Sequence, residues 1–221
     1  TLYINSPMWF LRSGSCINVV NLLIQSELVL HKSHFKSGPP NEQNSLYGCT
    51  SETKHGILIV ADSNSLILLF DLLNRLSSNG ANAIDLIGQY SDNNYTPSWT
   101  KSAENALPHA DSLNGPQAIV LDIVNHRLFI ADASNNRVLV HTLDSSDQMI
   151  DKVPDYVLGQ PDFYSNTAAN TQSGLYYPID LAYDASSTRL FVAESSGNRV
   201  KVFDVASITN GENAVNILGQ T

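Results

Sequence analysis

Pro116-Gln-Ala-Ile-Val-Leu-Asp122, Arg127-Leu-Phe-Ile-Ala-Asp132, Asn136-Arg-Val-Leu-Val140 and Val157-Leu-Gly-Gln160 return, in the same order, as Pro178-Ile-Asp-Leu-Ala-Tyr-Asp184, Arg189-Leu-Phe-Val-Ala-Glu194, Asn198-Arg-Val-Lys-Val202 and Ile217-Leu-Gly-Gln220. Short β-rich runs recurring at this period mean one supersecondary unit repeated along the chain. Two weaker copies precede them. One is Ile57-Leu-Ile-Val-Ala-Asp62, Leu68-Leu-Phe70 and Leu86-Ile-Gly-Gln89, with a poorly apolar first strand around Tyr47-Gly-Cys49. The other retains only Leu2-Tyr-Ile4 and Leu22-Leu-Ile-Gln25, as second and fourth strands. The repeat units are about 1–25, 46–89, 116–160 and 178–220, and the 221 residues read as a single domain or segment of one.

Within a unit the spacing is nearly fixed. Sixteen positions separate Pro116 from Asp132, Pro178 from Glu194 and Leu46 from Asp62, so length changes collect in the loop after each Gln, which is expected at the surface. Apolar runs alternate with turn residues, predicting four short antiparallel strands, in the best copy roughly 117–122, 127–132, 137–142 and 155–159. Leu128-Phe-Ile-Ala131 and Val138-Leu-Val140 are apolar on both faces, so each small sheet must be covered on both sides. A radial stack of four-stranded blades meets that requirement. The expected fold is all-β, a β-propeller of four-stranded antiparallel blades with about three complete blades and a partial N-terminal one. Beginning mid-blade leaves three arrangements open: a compact four-bladed ring, chains that associate to complete a larger ring, or a piece of a longer protein.

Leu-x-x-Pro at Leu113–Pro116 and Leu175–Pro178, the Arg-Leu-Phe-Ile/Val-Ala-Asp/Glu strand, Asn-Arg-Val, and Leu-Gly-Gln-Pro-Asp at Leu158–Asp162 together resemble the NHL repeat in the long-period form of many bacterial exported proteins. The match is good over 113–220, moderate over 46–89 and poor over 1–27. The resemblance implies a propeller used as a platform for proteins, glycans or other ligands. A minority of relatives are lyases with metal-binding histidines near the starts of the inner strands, where this chain has Gln117 and Ile179.

Composition narrows the partners. A net charge of −9 and a pI near 4.9 argue against phosphate-backbone binding, so nucleic acid is not an expected partner. No apolar run is long enough for a membrane span, because Asn21, Gln25 and Glu27 interrupt one stretch and Asp62 and Asp71 another. There is no basic leader region, so the chain is either not secreted or has lost its leader. Asn94-Tyr95-Thr96 is a glycosylation sequon in a long polar loop, a hint of export. Cys16 and Cys49 read either as one disulfide or as two free thiols; their spacing fits no metal motif.

Few residues point to chemistry. Asp132 and Glu194 precede Arg137 and Arg199 by five positions across a polar turn, an arrangement suited to pairing within a hairpin; Ile67 stands at the Arg position in the earlier copy, so that hairpin should be looser or repacked. Glu52, Asp122 and Asp184 share one repeat position just before a turn, where they can cap it or, as a ring of carboxylates, hold a cation such as calcium. His31 and His34 fall in a polar loop with no third ligand, and no Gly-x-Ser-x-Gly flanks a candidate nucleophile. No catalytic residue, metal ligand or cofactor is assigned. Tyr90, Tyr95 and Trp99 cluster beside Asp92, Asn93 and Asn94, and Tyr95 and Trp99 are the candidate binding residues, for a sugar or protein, unless they fold back over a blade. The expected function is a non-enzymatic extracellular or cell-surface structural or interaction module that self-assembles into an oligomer or filament. The alternatives are a lyase-like or lactonase-like propeller enzyme or ligand-binding protein, with calcium in a central channel, and a glycan-binding module.

Overall fold

The computed structural model describes residues 46–52, 57–62, 65–71, 83–90, 94–96 and 108–220. They form three four-stranded antiparallel sheets, each built from consecutive strands in simple up-and-down order. The first sheet holds β1 (Leu46–Glu52), β2 (Ile57–Asp62), β3 (Leu66–Asp71) and β4 (Asp85–Ile87). The second holds β5 (Pro116–Asp122), β6 (Arg127–Asp132), β7 (Arg137–Thr142) and β8 (Tyr156–Leu158). The third holds β9 (Pro178–Asp184), β10 (Arg189–Glu194), β11 (Arg199–Asp204) and β12 (Asn216–Gly219). The expected strands of the best copy are therefore present within a residue or two, and the weakly apolar Tyr47-Gly-Cys49 stretch lies in β1, paired with β2. The expected strands of the 1–25 unit, and Cys16, His31 and His34, lie outside the described residues.

The first strands β1, β5 and β9 are neighbours, and the sheets pack face to face in chain order. One apolar layer joins Ile59, Ala61, Ile67 and Leu69 of the first sheet to Ile119, Leu128, Ile130 and Leu139 of the second. The next joins Phe129, Ala131, Val138 and Val140, on the opposite face of the second sheet, to Leu181, Leu190, Val192 and Phe203 of the third. All six residues of β6 are buried, as a strand with two covered faces must be. The expected alignment of Ile67 with the arginine is off by one: the turn of the first unit is one residue shorter, so Leu66 pairs with Asp62 as Arg137 pairs with Asp132, and Ile67 pairs with Ala61 as Val138 pairs with Ala131. The buried Leu66 thus puts an aliphatic side chain where the other units have arginine. The loop 161–173 after Gln160 is largely exposed, as its variable length requires.

Each first strand opens with a register shift that leaves one residue unpaired: Tyr47, Gln117 and Ile179. A bulge at one repeated position bends every first strand alike.

Two motifs of the repeat meet between units. Gly88 and Gly159 have φ of +101° and +87°, and a Cβ built on either would fall within 2.8 Å or less of an atom of Leu113 or Leu175 respectively. The Leu of Leu-x-x-Pro thus fills a socket that the Gly of the preceding Leu-Gly-Gln leaves empty. Gly159→Ala combines a left-handed backbone with a clash against a fully buried leucine. It is expected to destabilise the chain by about 2–4 kcal/mol, read as a lowered denaturant midpoint at unchanged m-value.

Candidate functional site: the polar centres of the repeat

The hairpin β6–β7 ends in a fully buried ion pair. Arg137 Nε donates to Asp132 Oδ2 at 2.7 Å, and both side chains have no exposed surface. Asp132 also accepts from the Asn114 N–H at 2.7 Å and from Asn135 Nδ2 at 2.9 Å. The other arginine nitrogens donate to the carbonyls of His109 (3.0 Å), Ser112 (2.8 Å) and Phe163 (2.5 Å). One guanidinium therefore ties the hairpin to the segment before β5 and to the loop after β8. Burial pushes the Asp132 carboxyl upward, while the guanidinium, the Asn114 N–H and the Asn135 amide pull it back.

The third sheet repeats the device with different parts. Arg199 Nε donates to Glu194 Oε2 at 2.7 Å and its Nη2 to Asn170 Oδ1 at 2.5 Å, while Glu194 accepts from the Tyr176 N–H. Lys201 stands where Leu68 and Leu139 stand in the earlier units. It is wholly buried, donates to the carbonyls of Thr171 and Gly174, and lies 3.9 Å from Glu194 Oε2. Burial lowers its pKa, and the nearby Glu194 opposes the shift. These cations bond to fixed backbone and carboxylate partners, which is the chemistry of a scaffold joint.

The carboxylates at the shared repeat position cap turns. Asp122 accepts from the N–H groups of Val124 and Asn125 and from the side chains of Asn125 and Arg127. Arg127 reaches on to the carbonyl of Val205, just past the end of β11. Asp184 accepts from the Ser186 N–H and from the hydroxyls of Ser186 and Ser187. Hydrogen bonds to the charged form hold both carboxyls below their ordinary value, against burial that acts most strongly on Asp122. Glu52 ends β1, and its side chain lies outside what is described. Among the described residues no group of three His, Cys, Asp or Glu side chains could hold a metal ion.

Of the candidate binding residues, Tyr95 is half-buried with its ring edge-on to Tyr90 at 5.2 Å, and Trp99 lies outside the described residues. Tyr90 in turn accepts from the Gly88 N–H at 3.3 Å, so this part of the loop folds back against the end of the first sheet. His109, Asp111 and Ser112 adjoin without forming a nucleophilic triad. His109 Nδ1 meets Asp111 Oδ1 at 2.7 Å, but the Ser112 hydroxyl is engaged by the His109 backbone. An open groove of about 320 Å³ beside β11 is lined by Asp204, Ala206, Ser207, Glu212, Asn213 and Val215. Burial raises the Glu212 carboxyl there.

No motif of the sequence marks His141. It occupies the position of Phe70 and Phe203, is 1% exposed, and neither ring nitrogen has a hydrogen-bond partner. Burial lowers its pKa to about 4. The aromatic residues at the same place in the neighbouring units were the available signal.

Neither a family model nor a curated protein matches the chain. Among solved structures, hydrazine synthase of Kuenenia stuttgartiensis is similar over 79% of this chain with 11% identity and a TM-score of 0.46. The aligned part is 37% of that protein's length. Among the described residues no helix is long and apolar enough to cross a membrane.

Two outcomes follow for stability. Replacing Arg137 with Leu strands the Asp132 carboxylate without its counter-charge and should cost about 3–5 kcal/mol by chemical denaturation. His141 acts through pH: its folded pKa lies below the ordinary 6.5, so its share of stability is complete above that value and is lost as pH falls toward 4. The loss amounts to about 3 kcal/mol. His141→Phe should flatten the stability profile between those pH values, measured by urea unfolding at each pH.

Proposed function

We propose that the chain is a β-propeller segment of NHL type, working outside the cell as a non-enzymatic structural or interaction module that assembles with further copies of itself. One observation carries the reading. The acidic and basic side chains that recur with the repeat, Asp132 with Arg137 and Glu194 with Arg199, spend their hydrogen-bonding capacity on joints within and between units. Groups that recur with the scaffold serve the scaffold, and function on such folds resides in what is added to it. The adjacent first strands and the face-to-face layers support the blade arrangement. The exposed Asn94 of the sequon supports export.

Multi-angle light scattering of the purified chain should give a mass well above the 24.1 kDa of one copy. A stable, folded monomer across the accessible concentration range would remove self-assembly from this reading. Passage of the chain through a eukaryotic secretory pathway should add a glycosidase-sensitive mass at Asn94, abolished by Asn94→Gln.

A further inference from the structure

We propose that the outward face of the third sheet is a docking surface for one more four-stranded unit of this same repeat. Three features of the joint between the second and third sheets recur on that face without their counterparts. The first is apolar. Phe191, Ala193, Val200, Val202 and Leu218 repeat Phe129, Ala131, Val138, Val140 and Leu158, which are covered by the third sheet. Leu158 is 0% exposed and Leu218 is 51% exposed. Phe191, Ala193 and Val200 are also partly open, whereas their counterparts in the second sheet are wholly buried.

The second feature is a polar latch. Ser65 and Asn136, each in the left-handed turn before a third strand, accept the backbone N–H just ahead of the next unit's first strand: Gly115 N to Ser65 Oγ at 3.1 Å, Tyr177 N to Asn136 Oδ1 at 2.9 Å. Asn198 has the same left-handed conformation, with φ +52°, is exposed, and its side chain has no partner among the described residues. The third feature is the socket. Gly88 and Gly159 receive Leu113 and Leu175, whereas the three atoms nearest a Cβ built on Gly219, with φ +105°, belong to Asn198 and Arg199, and no leucine of the described residues is among them.

An apolar strip, an acceptor unused among the described residues and a glycine socket that none of their leucines fills, in the register used twice already, specify the occupant. It presents apolar side chains at the places of Leu181, Leu190, Val192 and Phe203, a leucine three residues before its first strand's opening proline, and a free N–H just ahead of that proline. Other apolar partners would fill the strip without using the latch or the socket. Asp180 and Asn216 replace Ala118 and Tyr156 on the two edge strands of the sheet, leaving a polar margin around the strip.

The inference deepens the interaction-module reading and rests on it, but it has its own test. The full chain is extended after Gln220 by a second copy of residues 161–220, the unit already seen on the equivalent face of the second sheet. In the unextended chain, the Leu218→Cys thiol should react rapidly with a maleimide, followed at the peptide level by mass spectrometry. In the extended chain the same thiol should react at least about tenfold more slowly. Asn198→Ala should weaken that protection only in the extended chain. Aspartate at the appended copy's equivalents of Leu190 and Val192 should restore fast labelling. Equal labelling with and without the extension, including the case of an appended unit that stays unfolded, would overturn the inference. So would protection that survives the aspartate variant. A monomeric unmodified chain would remove self-assembly alone.

Discussion

Each sheet of this protein is too thin to hide its own apolar side chains, and everything else answers to that. A strand such as β6, buried at all six positions, has no face to give to water. Its sheet is therefore held only while a neighbour lies on each side. The two layers described, first sheet on second and second on third, are continuous cores shared between units rather than cores within them. Stability in such an arrangement depends on the joints more than on the unit.

The joints carry a second constraint, because chain segments cross them and bring backbone polar groups into the interior. Arg137 resolves this for one crossing by bonding three carbonyls while its charge is balanced by Asp132. Arg199 and Lys201 resolve it for the next with Glu194 as counter-charge, and Arg127 bridges from the second sheet to Val205, just past the end of β11. Buried charge is tolerated at these places because every cation is bonded to several fixed acceptors. His141 departs from the rule: a polar ring held where the other units have phenylalanine, neutral because nothing solvates its charge.

Much of the fold was legible in the residues. The boundaries of β6 and β7 follow from Arg127-Leu-Phe-Ile-Ala-Asp132 and Arg137-Val-Leu-Val140 because apolar runs between turn residues leave little choice of element. Pairing of Asp132 with Arg137 and of Glu194 with Arg199 was equally readable, since hairpin geometry sets the two ends of a short turn side by side. Turn capping by Asp122 and Asp184 was among the readings, and the hydrogen bonds to Asn125, Ser186 and Ser187 realise it. The glycine sockets were not legible there, although both motifs stand in the sequence. Gly159 and Leu175 are separated along the chain by a surface loop of variable length, and nothing in either motif announces the other.

The sequence by itself determined the unit: its strands, its turns and the acid–base pair that closes its central hairpin, all set by interactions between residues a few positions apart. Only the tertiary structure decided which face of each sheet meets which neighbour, that Ser65 and Asn136 latch the following unit, and that Tyr95 leans on Tyr90. The packing of the sheets and the latches join segments about 40 to 60 residues apart, where chain connectivity imposes almost no geometry and side-chain shape and hydrogen-bond satisfaction impose nearly all of it.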